Sequence, residues 1–222
     1  MPAHRKELHV FGSNLWYLVG LVASDGCLSS DGRHIDITSK DYQLLSTVKE
    51  LSGVSNKIAK KHNAKSQIAY HIQIGSKNFY NFLLSVGLTP NKSLTLGALK
   101  VPGKYFTEFL RGLIDGDGSI RKWAHPGNNK EQWSLRIYSG SKNFIQWVKD
   151  NSEFLLKVGG RIHQNGEALW VLKYGKMATR VIAEKCYYKD CFGLKRKIKL
   201  AQQCFNSYRG WDRSKTVCCE PA

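Results

Sequence analysis

A nine-residue pattern occurs twice in the chain and limits what it can fold into. Residues 18–26 read LVGLVASDG and residues 110–118 read LRGLIDGDG. The shared letters are L-x-G-L-x-x-x-D-G, and the matching acids, Asp25 and Asp117, lie 92 residues apart (117 − 25). A spacing that long is outside the range of solenoid repeats and points to a duplicated half-domain. In both copies the aliphatic positions fall at helical spacing: Leu18, Leu21 and Val22, then Leu110, Leu113 and Ile114. Ser13 is placed to cap the first helix. Gly26 and Gly118 are placed to end the two helices in left-handed turns.

The sequence after each copy repeats in kind. Residues 33–39 alternate apolar and polar, as a half-buried strand does. Residues 41–51 carry Leu44, Leu45, Val48 and Leu51 at helical spacing, 69–75 alternate again, and 77–86 read as a helix ended by Gly87. In the second half 132–138 alternate and 144–156 read as a helix. Residues 161–164 and 168–173 form a hairpin about Asn165-Gly166, and 176–186 read as a helix. The expected order in each half is helix, two strands, helix, two strands, helix. The expected fold class is α+β, a duplicated αββαββα unit. Residues 1–96 form the first half, 97–103 a linker carrying Gly97, Pro102 and Gly103, and 104–222 the second half. The string Gly-Ser-Lys-Asn-Phe occurs at 75–79 and at 140–144, a spacing of 65 rather than 92. It follows non-equivalent strands and reads as shared strand-to-helix turn chemistry.

Two features of the motifs cost stability. Gly20 and Gly112 stand inside helices, where glycine is about 1 kcal/mol worse than alanine. What glycine offers there is close approach of two backbones. Asp25 and Asp117 stand in the last helical turn, at the negative end of the dipole. An Asp-Gly pair that merely caps a helix explains one copy, but not two with matched glycines. Two carboxylates on neighbouring helix ends supply hard oxygen ligands for a divalent cation, and local rules broken twice in the same way mark a functional site.

The charge balance points to the partner. The chain carries 34 Lys+Arg against 17 Asp+Glu, a formal net charge of +17. Such an excess repels itself in the folded state and fits a polyanion: nucleic acid first, an anionic membrane surface second. No apolar run approaches the ~20 residues that a membrane helix needs, and residues 1–10 are polar and basic, unlike a secretory signal. The six cysteines form no Cys-x-x-Cys pair, so reduced thiols inside a cell are expected.

The paired motif resembles the LAGLIDADG homing endonucleases, in the form that carries both motifs on one chain. The first copy matches at Leu18, Gly20, Leu21, Asp25 and Gly26, and the second at Leu110, Gly112, Leu113, Ile114, Asp115, Asp117 and Gly118. The element order extends the resemblance over nearly the whole chain, and the resemblance implies that the duplicated units form a pseudo-two-fold saddle with antiparallel sheets and the two motif helices packed at the interface. The first copy departs at Val19, Val22, Ala23 and Ser24, none of which is the acid that the family needs. The resemblance implies that Asp25 and Asp117 bind Mg²⁺, two or more divalent ions with Mn²⁺ as a substitute, and that the backbone carbonyls of Ser24 and Gly116 complete the shell. It implies hydrolysis of one phosphodiester on each strand of double-stranded DNA, short 3′ overhangs, and a role in intron homing. It also implies a lysine near the scissile phosphate in each half: Lys92 in the first, and in the second Lys197, with Lys195 its rival. One chain with both motifs implies a functional monomer with no obligate protein partner.

Specificity is expected from the strands, since a ribbon of sheet can enter the major groove and read base edges. The outward residues are His34, Asp36, Thr38, Lys40, His71 and Gln73 in the first half. Those of the second are Arg121, Gln132, Ser134, Arg136, Tyr138, Arg161 and His163. Unlike faces imply a long asymmetric target. The rivals are an intron RNA maturase and a non-cleaving DNA-binding regulator on the same fold; retention of both acids favours the nuclease. An intracellular location is expected, in an organelle or a prokaryotic cytoplasm, and nothing in the sequence chooses between them.

Overall fold

A computed structural model describes residues 10–62 and 68–207. The expectations about the residues from 208 onward, including Cys218 and Cys219, lie outside them. The fold is α+β, two αββαββα units in succession. The first unit runs α1 (Gly12–Asp25), β1 (Gly26–Leu28), β2 (His34–Ser39), α2 (Tyr42–Ser52), β3 (Ala59–His62), β4 (Ile68–Gly75) and α3 (Lys77–Val86). A 3₁₀ turn at Gly103–Tyr105 leads into the second: α4 (Phe106–Asp117), β5 (Gly118–Ala124), β6 (Glu131–Ser139), α5 (Lys142–Leu156), β7 (Arg161–Gln164), β8 (Trp170–Tyr174) and α6 (Lys176–Cys186). A further helix, α7 (Lys195–Asn206), follows. The two four-stranded sheets have orders β1-β2-β4-β3 and β5-β6-β8-β7, antiparallel throughout. The same order in both units makes the duplication one of structure as well as of sequence.

The apolar face of each sheet packs against helices, with Ile35, Ile37, Ile72 and Ile74 buried in one unit and Trp133, Leu135, Ile137 and Leu172 in the other. At the centre α1 and α4 lie side by side, buried from Trp16 to Ala23 and from Phe106 to Asp115 except at Thr107. A Cβ on Gly20 would fall 2.1 Å from the Phe109 carbonyl oxygen, and one on Gly112 would fall 2.1 Å from that of Tyr17. No side chain fits there, which answers the question the interior glycines pose.

The structure corrects several expectations. Ser13 does not cap α1: Gly12, at φ +60°, turns the chain into the helix one residue earlier, after Phe11. Gly26 and Gly118 are not left-handed, with φ of −92° and −89°. Each begins a strand, and glycine is required because a Cβ would lie 2.6 Å from the Cα of Val22 or of Ile114. The sequence did not locate β1, β3, β5 or α7. β1 has three residues, and β3 is an edge strand with two exposed lysines in place of alternation. The repeated Gly-Ser-Lys-Asn-Phe string is shared cap chemistry: Ser76 Oγ accepts from the Phe79 N–H at 3.2 Å, and Ser141 Oγ from the Phe144 N–H at 3.3 Å.

Candidate functional site

Because α1 and α4 touch through glycine, their last residues end side by side. Those residues are Asp25 and Asp117. Burial first and Asp117 second push the Asp25 carboxyl up to about 7, against the opposing pull of Lys197 and Lys92. Asp117 opens more to solvent than Asp25, yet its dense surroundings raise its carboxyl too, against the same two lysines. Each acid is followed directly by the first residue of a strand. Ser24 fills the space over Gly116: a Cβ on Gly116 would lie 2.0 Å from Ser24 Oγ. That hydroxyl is itself held by the carbonyls of Gly20 and Leu21, at 3.2 and 3.1 Å.

Both lysines lie at this site, and both are buried, at 5% and 1% exposure for Lys92 and Lys197. Lys92 Nζ donates to the Gly26 carbonyl, just past α1. Lys197 Nζ donates to the carbonyls of Ile114, of Asp115 at 2.8 Å and of Gly116 at 3.4 Å. These belong to the last turn of α4, where carbonyls lack helical partners and a cation suits the dipole. Burial lowers the pKa of both amines, that of Lys197 to about 8. Lys195, the rival, is exposed. The Gly116 carbonyl is therefore shared with Lys197, while that of Ser24 accepts no such side-chain donor among the described residues.

Asp115 is a node that the sequence reading passed over. It is 2% exposed and accepts from Tyr17 Oη at 2.9 Å, Tyr187 Oη at 2.7 Å and the Leu194 N–H at 2.8 Å. It thus ties α1, the end of α6 and the start of α7 to α4. Burial raises its carboxyl, opposed by those donors and by Lys197. The available signal was its offset of two from Asp117, which turns it to the other side of the helix. The first motif has Ala23 at that position, so only one half has such a node.

The strand faces sort differently. The register places Asp36 opposite Gln73 and Thr38 opposite His71 in one sheet. In the other it places Arg121 opposite Ser134, Gln132 opposite Trp123 and Arg136 opposite Lys173. Gln73, Lys40, Arg121, Arg161 and His163 are exposed, and His34, Asp36, Thr38, His71, Gln132, Arg136 and Tyr138 half-buried. Asp36 already accepts from Ser29 at 3.3 Å and Gln73 at 3.4 Å, and His34 pairs with Asp31. Ser134 is a correction, at 1% exposure. β8 stops at Tyr174, opposite Leu135, and α6 and α7 pack along the part of β6 and β5 that lies beyond. Trp123, unassigned from sequence, stands on this face 41% exposed. His71 Nδ1, Ser134 Oγ and Arg136 Nε are buried without a hydrogen-bond partner. Three such atoms on the faces expected to meet base edges call for an explanation.

The family model of the LAGLIDADG-like domain matches residues 13–87 and again 105–187. The chain belongs to the LAGLIDADG-like family. Solved structures share its fold at low identity. The homing endonuclease I-WcaI bound to its DNA recognition sequence gives a TM-score of 0.60 at 10% identity, over 79% of this chain and 81% of that one. The meganuclease I-SmaMI bound to uncleaveable DNA gives 0.57 at 13%, over 87% and 89%. Full-length DUF199/WhiA from Thermatoga maritima gives 0.58 at 16%, over 93% of this chain and 66% of that one, so the chain spans about two thirds of its length. A search of curated protein sequences returns no match.

Each family repeat found in the chain ends its motif helix on the acid described above. Among the described residues no cluster of three or more His, Cys, Asp or Glu could hold a metal, and none of the helices is long and apolar enough to cross a membrane. The donor set is two carboxylates and nearby backbone carbonyls. That set fits Mg²⁺, which keeps several waters and takes one or two carboxylates together with phosphate oxygens, and it does not fit a four-ligand zinc cage.

Proposed function

We propose that the protein is a site-specific DNA endonuclease of the homing type. It makes a double-strand break in a long asymmetric target and leaves short 3′ overhangs. The observation that carries this reading is the meeting of Asp25 and Asp117 at the ends of glycine-packed helices, faced by two buried lysines. Two carboxylates held together at a cost, with one pushed up to about 7, suit a site whose repulsion a divalent cation relieves.

In this reading Asp25 and Asp117 hold Mg²⁺, with the carbonyls of Ser24 and Gly116 nearby. When bound, the ion supplies Lewis-acid activation of water and charge stabilisation at the phosphate. Lys92 and Lys197 offset negative charge building on the phosphate of one strand each, from positions held by helix and strand carbonyls. The strand faces read bases: Arg136 suits guanine, Gln73 or Gln132 adenine, and Asp36 accepts from cytosine. His71 and Arg136, each with a buried nitrogen that has no partner in the free protein, turn outward to reach bases in this reading. Lysines such as Lys60, Lys61, Lys173 and Lys199 fix position on phosphates. One chain holding both acids acts as a monomer, and the residues on either side of 97–103 form its two halves.

The test is cleavage of a randomised duplex library in Mg²⁺, beside Asp117→Asn. One long asymmetric consensus cut by the wild type and left intact by the variant is the expected result. Retention of duplex without any cut, in Mg²⁺ or Mn²⁺, would move the assignment to a DNA-binding regulator; retention of structured RNA alone would move it to a maturase.

A further inference from the structure

Each lysine-bearing segment is clasped by the opposite half. In the first half the loop at 91–96 folds on itself, with the N–H groups of Thr95 and Leu96 donating to the Lys92 carbonyl at 3.1 and 2.9 Å. Its outer side meets the second half. Ser141 Oγ donates to the Leu96 carbonyl, and a Cβ on Gly140 would lie 2.7 Å from the Ser93 carbonyl oxygen. In the second half the entry to α7 meets the first half. Gln43 Nε2 donates to the Gly193 carbonyl at 3.2 Å, Gln43 Oε1 accepts from the Lys195 N–H at 3.0 Å, and Arg196 pairs with Asp41 at 2.9 Å. Ser141 and Asp41 hold the same place in the two units, directly before α5 and α2. The crossing therefore occurs in both directions, built from different side chains.

We propose that these crossed clasps position the two lysines, Ser141 placing Lys92 and Gln43 with Asp41 placing Lys197, so that each half sets the lysine of the other. Ser141 and Gln43 are positioning residues: they hold the backbone two to four residues from a lysine whose amine must stay under a motif helix. The consequence for DNA, that loosening one clasp slows the cut of one strand, rests on the nuclease reading; the placement itself does not.

The sequence supplies a control. Ser76 caps α3 within the same Gly-Ser-Lys-Asn-Phe string as Ser141 caps α5, but no bond from Ser76 to the other half is present among the described residues. The metal-free full chain would be pulsed with an amine-acylating reagent and its lysines read by peptide mass spectrometry. In the wild type the buried Lys92 and Lys197 react slowly beside the exposed Lys104 and Lys142. Ser141→Ala should speed Lys92 by roughly three- to tenfold, the effect of one lost hydrogen bond on local opening, and leave Lys197 unchanged. Gln43→Ala should do the reverse, and Ser141→Thr should restore the slow rate. Ser76→Ala should move neither. Gln43 is half-buried on a helix surface, so its replacement keeps the test available even where Ser141→Ala unfolds. On a duplex that the wild type cuts, the two clasp variants should accumulate nicked product with opposite strands intact. Equal labelling of both lysines in every variant, or a Ser76→Ala effect equal to that of Ser141→Ala, would overturn crossed positioning. A split labelling pattern in a protein that cuts nothing would leave the positioning standing and remove the nuclease reading.

Discussion

Replacing Asp25 by Asn should stabilise the metal-free protein. Its carboxyl titrates at about 7 in the fold against an ordinary 3.8, first through burial and then through Asp117. Between those values the folded chain keeps a proton that the unfolded chain has released. Stability from this group is therefore complete below about 3.8, falls as pH rises, and is gone above about 7. At 1.36 kcal/mol per pH unit, a rise of that size corresponds to about 4 kcal/mol. Asp25 keeps partial access to water, and screening leaves about half, ~2 kcal/mol. In a chain of this size that is a change in Tm of about 4–8 °C. The assay is scanning calorimetry of wild type and Asp25→Asn in chelator at pH 4, 6 and 8. The variant should melt higher at pH 8, with the gap closing toward pH 4. Millimolar Mg²⁺ should raise the Tm of the wild type and not that of the variant, since a ligand stabilises only the state that binds it. A variant no more stable than wild type at pH 8, or a gap indifferent to pH, would refute the electrostatic account.

Gly112→Ala should destabilise by about 2–4 kcal/mol, because its methyl meets a backbone carbonyl that cannot move aside; the urea midpoint reads this directly. Lys197→Met should cost about 2–4 kcal/mol at pH 7 by stripping the last carbonyls of α4 of their donor. It should also remove a pH dependence: Lys197 loses its proton at about 8 in the fold and at 10.5 when unfolded, so wild-type stability rises across that window and the variant's should not. Duplex affinity should fall with salt at a slope of about −5 or steeper in log–log form, as a chain of this charge demands; a flat response in an anisotropy titration would rule out a phosphate-tracking surface. Arg136→Ala should lose about 1–3 kcal/mol of discrimination at one base pair, whereas Lys173→Ala should weaken all sequences alike; competition binding against single-base variants separates the two.

The duplicated motif made most of this legible. Helical spacing of leucines and misplaced glycines and acids led to α1, α4 and their contact, because steric and electrostatic penalties show in sequence when they repeat. What stayed hidden was whatever breaks its own pattern. The α7 helix buries Lys197, Ala201 and Cys204 at helical spacing, but its first buried residue is a lysine, so no apolar stripe announces it. Ser134 sits in alternation with outward residues and is nonetheless covered, since alternation reports the sheet's own faces and not what a later helix lays across them. Asp115 read as one more motif letter, and its three donors come from Tyr17, Tyr187 and Leu194, between 72 and 98 residues away. The clasps at Gln43 and Ser141 are likewise contacts between halves that local pattern cannot carry.

The passage from helix to strand at Gly26 and Gly118 has no loop in it. Each acid is covalently one residue from a sheet that lies against the duplex in the proposed complex, so sheet and carboxylate move as one lever. A sheet that seats poorly on a mismatched base pair carries its acid out of line with the phosphate. Fidelity in such a machine is written in the rate of cutting more than in the strength of holding. Sites bound nearly as well as the true one would survive because the chemistry fails to align.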